Sequence, residues 1–337
     1  MGEILKENWF VVLIAVIIIG FVGYFVYDNN KYNVSGKTSD GSSVLATVAS
    51  EDITSDAIYE KLSANDDALL FSLYRNAVIN EYVQTTDDLK SQAKNMQLNI
   101  EANASSNSQG DYKLSIATEL GNFGYGSFDE LRDYCLTFAK EKQMDVEYIE
   151  KNFEDLRGAV EEKQARTVSI ISMAVVNPEE LTEEETKKKD LIDTEIEKES
   201  FGKAATELSE DAATASSEGY LGYVDADTQA TTLPAEVLEA AKALNKGETS
   251  DWVTVTDQNY GTTKLYKVRV EETDLKKIYD DGNETIKNNV ISAILSDNAH
   301  LDITIVEEAA KKVDIKFTDK AIQKRIESYI SDMKGEN

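Results

Sequence analysis

A single histidine, His300, and a single cysteine, Cys135, are the whole supply of imidazole and thiol in this chain. One histidine cannot build a multi-histidine metal site, and it excludes most histidine-dependent acid–base chemistry. One cysteine makes neither an intrachain disulfide nor a zinc cluster. Cys135 stands among apolar helical residues in Leu131-Arg132-Asp133-Tyr134-Cys135-Leu136, the setting of a buried structural thiol rather than a nucleophile. His300, between Ala299 and Leu301, reads as a helix-end or surface residue. The acidic runs Glu183-Glu184-Glu185 and Asp280-Asp281 lack the D-x-D-x-D-G loop of a calcium site. No metal and no cofactor is expected.

Asp and Glu number 63 against 35 Lys and Arg, a net charge of −28. That field repels phosphate backbones and anionic headgroups, so nucleic acid is not an expected partner. It suits a solvated surface or basic clients. The 337 residues, 41% of them hydrophobic, are enough for two domains with a real core.

Three kinds of segment would have to position any site. The run Trp9–Tyr27 is free of charge and 19 residues long. As a helix it spans roughly 28 Å, close to the hydrocarbon thickness of a bilayer. Trp9 stands at one end and Tyr24 and Tyr27 at the other, as interfacial aromatics do. Bulky residues close the run, no small-x-small cleavage site follows at once, and no cysteine follows to carry a lipid. An uncleaved anchor is expected. Lysines flank it on both sides, Lys6 before and Lys31 and Lys37 after, so charge does not set its orientation.

Asp28 to Ser43 is polar and reads as a tether, and Val44 to Val48 as a short strand. Helical patterning follows. Thr54 is a candidate cap, Leu70, Tyr74, Val78 and Tyr82 recur at four-residue steps, and Ser127 with Glu130 forms an S-x-x-E capping box. From Arg166 the pattern changes. Thr167–Val176 reads as a strand, Glu179–Leu208 as a long charged helix and Leu221–Val224 as a strand. Leu233-Pro234 opens a helix through Leu244, and Trp252–Val255 and Lys264–Val270 read as closing strands around Gly261. Ile286, Val290 and Ile294 then share a helical face, and Thr318 is expected to cap a last helix through Met333.

Four fragments in order resemble the PrsA- and SurA-type foldases, extracytoplasmic chaperones with a parvulin-type prolyl isomerase domain. Phe201, Ala204, Leu208, Ser209 and Asp211 in SFGKAATELSED match the family's F-x-x-L-A-x-x-x-S-x-D. Leu221 and Gly222 match its G-G-D-L-G turn, LNKGETSDWV matches L-x-x-G-E-V-S-x-P-V, and Tyr260-Gly261 matches the Y-G before the last strand. VLATVASEDITSDAIYEKL and VDIKFTDKAIQKRI look like the family's opening and closing segments.

The resemblance implies an α+β chain with a single N-terminal transmembrane helix. A discontinuous helical chaperone domain would carry an inserted parvulin-like α/β domain. The expected parts are a cytoplasmic tail 1–8, anchor 9–27, linker 28–43, helical domain 44–165, parvulin-like domain 166–273 and helical part 274–332. The amino terminus would lie inside and the bulk outside the plasma membrane.

The departures fall on the chemistry. The family's V-S-H-I-L is here Val168-Ser169-Ile170-Ile171-Ser172, and its Y-G-Y-H is Tyr260-Gly261-Thr262-Thr263. Both histidine positions are thus substituted, by Ile170 and Thr263, and an offset of one places Lys264 at the second. Asp211 holds the acidic position between them or is a turn residue. Leu233 and Val237 fall where the resemblance places the proline-gripping side chains. Three functions remain open. One is a chaperone for unfolded or newly exported polypeptides with a catalytically weak or inactive parvulin-like domain. The others are an isomerase with a divergent site and a surface interaction protein.

Overall fold

The computed structural model describes residues 38–39, 41–48, 51–55, 66–107, 110–257 and 261–335. The apolar run Trp9–Tyr27, most of the helix expected after Thr54, and Tyr260 of the Y-G pair lie outside these residues. Among the described residues no helix is long and apolar enough to cross a membrane. The chain divides into two compact units, Met1–Ser72 and Leu73–Asn337.

In the first unit, β1 (Thr38–Ser39), β2 (Ser42–Val48) and β3 (Glu51–Thr54) form an antiparallel meander in that order. Strand structure therefore begins inside the stretch read as a tether, because Thr38 and Ser39 pair with Ser43 and Ser42 around Gly41, whose φ is +85°. Helix α1 (Asp67–Tyr82) begins in the first unit and continues into the second.

The second unit continues with α2 (Asp87–Asn107), α3 (Tyr112–Gly121), α4 (Leu131–Lys151), α5 (Phe153–Leu156) and α6 (Gly158–Glu162). Three helices, α7 (Glu183–Lys198), α8 (Phe201–Leu208) and α9 (Ala235–Lys242), belong to the mixed region, and after it come α10 (Leu275–Asp281), α11 (Glu284–Asp297), α12 (Leu301–Ala310) and α13 (Lys320–Lys334). One apolar core draws on both sets. Val78, Ile79, Ile149, Phe153 and Val160 pack with Leu275, Val290, Ile294 and Ile305. The helices before and after the mixed region each present one apolar stripe, and the two stripes close on one another.

Local chemistry sets the helix ends, with two departures from expectation. The Asp319 carboxylate, not Thr318, caps α13 by accepting from the Ala321 N–H at 2.7 Å. Glu130 reaches back to the Gly126 N–H at 2.6 Å and the Ser127 hydroxyl at 3.3 Å, but Ser127 makes no cap bond of its own. The first turn there, Phe128–Glu130, is a tight 3₁₀ turn, which moves the α-helical start to Leu131 and breaks the capping-box spacing. His300 precedes α12 in a left-handed conformation, φ +60°, and is exposed.

The helical core contains one carboxylate at odds with its surroundings. Burial pushes Asp145 of α4 up to about 7; Arg75 pulls it down and Asp302 pushes it further up. An unfolded carboxyl gives up its proton near pH 4, so between about 4 and about 7 only the unfolded state is ionised at this group. The group's contribution to stability therefore falls as pH rises through that window and stays at its minimum above it. Asp145→Asn is expected to flatten this slope and to raise the thermal midpoint more at pH 8 than at pH 5, read by calorimetry. An equal shift at both values would contradict the burial of a protonated acid.

The mixed region is built on β4 (Arg166–Val175), α7 (Glu183–Lys198), α8 (Phe201–Leu208), β5 (Tyr220–Val224), α9 (Ala235–Lys242), β6 (Val253–Asp257) and β7 (Thr262–Glu272). The sheet order is β5-β4-β7-β6 and every pairing is antiparallel. The single long helix expected over Glu179–Leu208 is two helices. A Thr182–Glu185 capping box starts α7, and Ser200 starts α8 by accepting from the Lys203 N–H at 3.1 Å. One sheet face packs Val168, Ile170, Tyr266 and Val268 against α9. The other packs Ile171, Met173 and Leu265 against Ile192 of α7 and Phe201 and Ala204 of α8.

Candidate functional site

The two substituted histidine positions do not meet. Ile170 pairs with Val268 on β7, whereas Thr263 pairs with Val175 on β4. Five residues along a strand is about 17 Å. The faces differ as well. Ile170 belongs to the α9 side, while Thr263 alternates with Leu265 onto the side of α7 and α8. Thr263 spends its hydroxyl on Thr256, 3.1 Å away. Strand alternation therefore places Ile170 and Thr263 on opposite faces of the sheet. The one-residue offset brings Lys264 onto the face of Ile170 and Tyr266.

Leu233 and Val237 are completely buried and pack with Ile170 in the core beneath α9. Neither lines the cavity beside α9. Pro234 and Glu236, their immediate neighbours, line a cavity of 370 Å³ together with Val255, Thr256, Lys264 and Tyr266. Lys264 and Tyr266, on the face of Ile170, belong to that lining.

Asp211 is half-buried and closes a turn. Its Oδ1 accepts from the Ala213 N–H, the Thr214 N–H and the Thr214 hydroxyl, each at 3.1 Å. The carboxylate is nevertheless felt at the cavity. Burial raises the Tyr266 hydroxyl above its ordinary value, and the Asp211 charge adds to the rise. The S-x-D spacing has a mechanical cause. Ser209 Oγ accepts from the Asp211 N–H at 3.1 Å and from the Ser172 N–H at 3.2 Å, so it ties the end of α8 to β4. Between them the Glu210 N–H donates to the Ser172 carbonyl at 2.8 Å, and the Glu210 carboxylate accepts from the Ala174 N–H at 2.7 Å and pairs with Lys188. Burial pushes Glu210 up, yet Lys188 and that N–H outweigh it and hold the acid below its usual range.

Ser172, Tyr266 and Glu210 were not singled out from the sequence. Ser172 is fully buried with its hydroxyl unpartnered, and it stands opposite Tyr266 in the ladder. A signal was present: Val168, Ile170 and Ser172 alternate on one face of a strand, with Ser172 the polar member. Cys135 is buried and its thiol is pushed up to about 11 by burial and the Glu101 charge, as suits a structural residue.

Gly219 joins these parts. Its carbonyl accepts from the Ile170 N–H at 2.8 Å and its N–H donates to the Thr214 carbonyl at 2.9 Å. Its φ is +79°, and an added Cβ would lie 2.6 Å from the Ile170 carbonyl oxygen and 2.8 Å from Ala205 Cβ. Gly219→Ala is expected to cost about 3 kcal/mol, from left-handed strain plus overpacking. Urea denaturation measures it, and a loss below about 1 kcal/mol would mean the turn relaxes freely.

A profile for the PPIC-type peptidyl-prolyl isomerase (rotamase) domain matches residues 171–265. The foldase protein PrsA of Streptococcus gordonii is 25% identical over 296 residues, covering 87% of this chain and 90% of the relative. Over most of its length this chain is similar to PrsA foldases. The PrsA of Enterococcus faecalis is 33% identical over 135 residues, covering 39% of this chain and 37% of that one. A crystal structure of PrsA from Streptococcus pneumoniae aligns over 83% of this chain and 97% of its own at 19% identity, TM-score 0.42. In the present chain the profile match ends at Leu265, just past Lys264.

Proposed function

We propose that this chain is a membrane-anchored extracytoplasmic foldase that keeps exported polypeptides from aggregating, with a parvulin-like region 166–273 that contributes binding surface and little catalysis. The observation that carries this reading is the extent of similarity, 87% of this chain against 90% of a PrsA foldase; Ile170 and Thr263 stand where the resemblance places histidines. Similarity that runs through the helical parts as well as the isomerase domain favours the function that needs the whole chain. The apolar run Trp9–Tyr27, with interfacial aromatics at both ends, supports a single-pass anchor, and the similarity to PrsA foldases supports the bulk lying outside. Helical parts 44–165 and 274–332 form the client-holding body in this reading.

The test is suppression of aggregation of a denatured secreted protein by the full chain in detergent micelles at stoichiometric ratio. Unchanged light scattering would reject the foldase reading. Protease added to intact cells is expected to remove the bulk of the chain, and protection of that bulk would reject the orientation.

A further inference from the structure

Among the helices that precede the parvulin-like sheet, four aromatic rings line a cavity of 250 Å³. Tyr134 of α4 is the hub. Its ring centroid lies 5.3 Å from Phe123, 5.6 Å from Tyr125 and 6.4 Å from Phe138. The Tyr125 contact is edge-on at 85°, so the rings present differently oriented faces. Such rings ordinarily bury their faces, yet Phe123 and Phe138 remain 44% and 43% exposed.

The cup is fixed from behind. The Tyr125 hydroxyl hydrogen-bonds Thr137 Oγ1 at 2.8 Å, and Asn80 Nδ2 donates to the same atom at 2.8 Å. Asn76 Nδ2 donates to the Phe123 carbonyl at 2.7 Å. Arg75 lines the cavity, but its charge is matched by Glu141. Phe123 and Tyr134 also wall a second cavity of 270 Å³, whose other lining includes Ile100, Ile116, Leu120 and Leu131, with Glu119 also part of the lining.

Preformed ring faces attract a cation, and the net charge of −28 draws basic segments and repels acidic ones. We infer that the paired cavities bind an unfolded polypeptide through a basic side chain in the aromatic cup and an adjacent aliphatic side chain in the second cavity. This gives the proposed foldase its client class: extended segments in which Arg or Lys neighbours a branched apolar residue. It deepens the foldase reading and rests on it for the source of the peptide.

Two fluorescent peptides of equal length, one alternating Arg and Leu, the other Glu and Leu, provide the probe. Anisotropy against the full chain in micelles is expected to show binding of the Arg–Leu peptide in preference to the Glu–Leu peptide. The double substitution Phe123→Leu with Phe138→Leu keeps apolar bulk and removes two ring faces. It is expected to weaken the Arg–Leu peptide about tenfold. Its thermal midpoint is expected to stay at the parent value, because both rings are exposed. Hydrogen exchange of the parent chain provides a measurement independent of any variant, with protection of residues 123–138 expected on adding the Arg–Leu peptide.

Equal binding of the two peptides, unchanged affinity in the variant, or absence of that protection would overturn the inference. If the parent chain and the variant suppress client aggregation alike while peptide affinity is also unchanged, the cup is rejected and the foldase reading stands. If the parent binds the Arg–Leu peptide at the cup yet leaves aggregation unchanged, the cup stands and the foldase reading falls.

Discussion

The full chain, given a short X-Pro peptide, is expected to catalyse cis/trans exchange at less than about one hundredth of the rate of a parvulin that keeps both histidines. The uncatalysed barrier is about 18–20 kcal/mol, and lowering it needs a groove that stabilises the twisted imide more than either planar form. Preorganised hydrogen-bonding groups supply that difference, each worth about a hundredfold or more when removed. Here Ile170 is 3% exposed and has no side-chain donor or acceptor. Thr263 is on the other face and bonded to Thr256. The remaining candidates on the right face are Lys264, Tyr266 and the Ser172 hydroxyl, with Asp211 committed to its turn. Exchange measured by NMR line shapes settles the matter. A rate equal to that of an intact parvulin would show that these groups form a working floor. Tyr266→Phe would then be the variant to abolish it.

The second large effect is expected at Arg166, and it concerns stability. Its side chain is buried at the start of β4, only 5% exposed. Nε donates to the Gln164 carbonyl at 2.9 Å, and Nη1 donates to the carbonyls of Ala241 and of Leu244, the latter at 3.2 Å. The guanidinium thus adds donors at the carboxyl end of α9, where the Ala241 carbonyl otherwise accepts from the Leu244 N–H and the helix dipole favours a cation. Burial lowers its pKa, yet it stays charged at any ordinary pH. Arg166→Met keeps much of the stem and strips all three bonds. The expected cost is about 3 kcal/mol, because the Gln164 and Leu244 carbonyls lose the guanidinium and Ala241 keeps the Leu244 N–H. Equilibrium urea unfolding reads the loss. Leu233 and Val237 hold α9 to the sheet by apolar contact alone, so the 370 Å³ cavity beside Pro234 should loosen as well. Arg166→Lys is expected to recover only part of the loss, since an ammonium cannot reproduce the fork of the guanidinium. A cost below about 1 kcal/mol would show that water replaces the guanidinium at those carbonyls.

Much of this architecture is already in the amino-acid sequence, and for identifiable reasons. The strand from Arg166 and the strand around Lys264–Val270 are written as β-branched and aromatic runs bounded by turn residues. The apolar residues Ile286, Val290 and Ile294 recur once per turn and do pack into the helical core. The single cysteine in an apolar helix is a buried thiol. The resemblance to PrsA-type foldases also follows from order and spacing of short fragments, because those fragments perform local tasks. Ser209 ties a helix end to β4, and Asp211 closes the next turn.

Tertiary structure decided what depends on register and on long-range contact. A one-residue shift along β7 exchanges faces, so only the ladder tells Thr263 from Lys264 as the neighbour of Ile170's face. Leu233 and Val237 are apolar in either role, and only packing shows them sealed beneath α9 rather than lining the cavity. Residues 123 to 138 form an aromatic cup because α1 brings Asn76 and Asn80 behind them, a contact across more than one helix that no local spacing encodes. The sequence alone determined the charge, most of the strands and helices and the resemblance to PrsA foldases, since these rest on local propensity, composition and short-range spacing. Which side chains meet was left to the fold, since strand register and helix docking are set by the sum of many weak contacts distant along the chain.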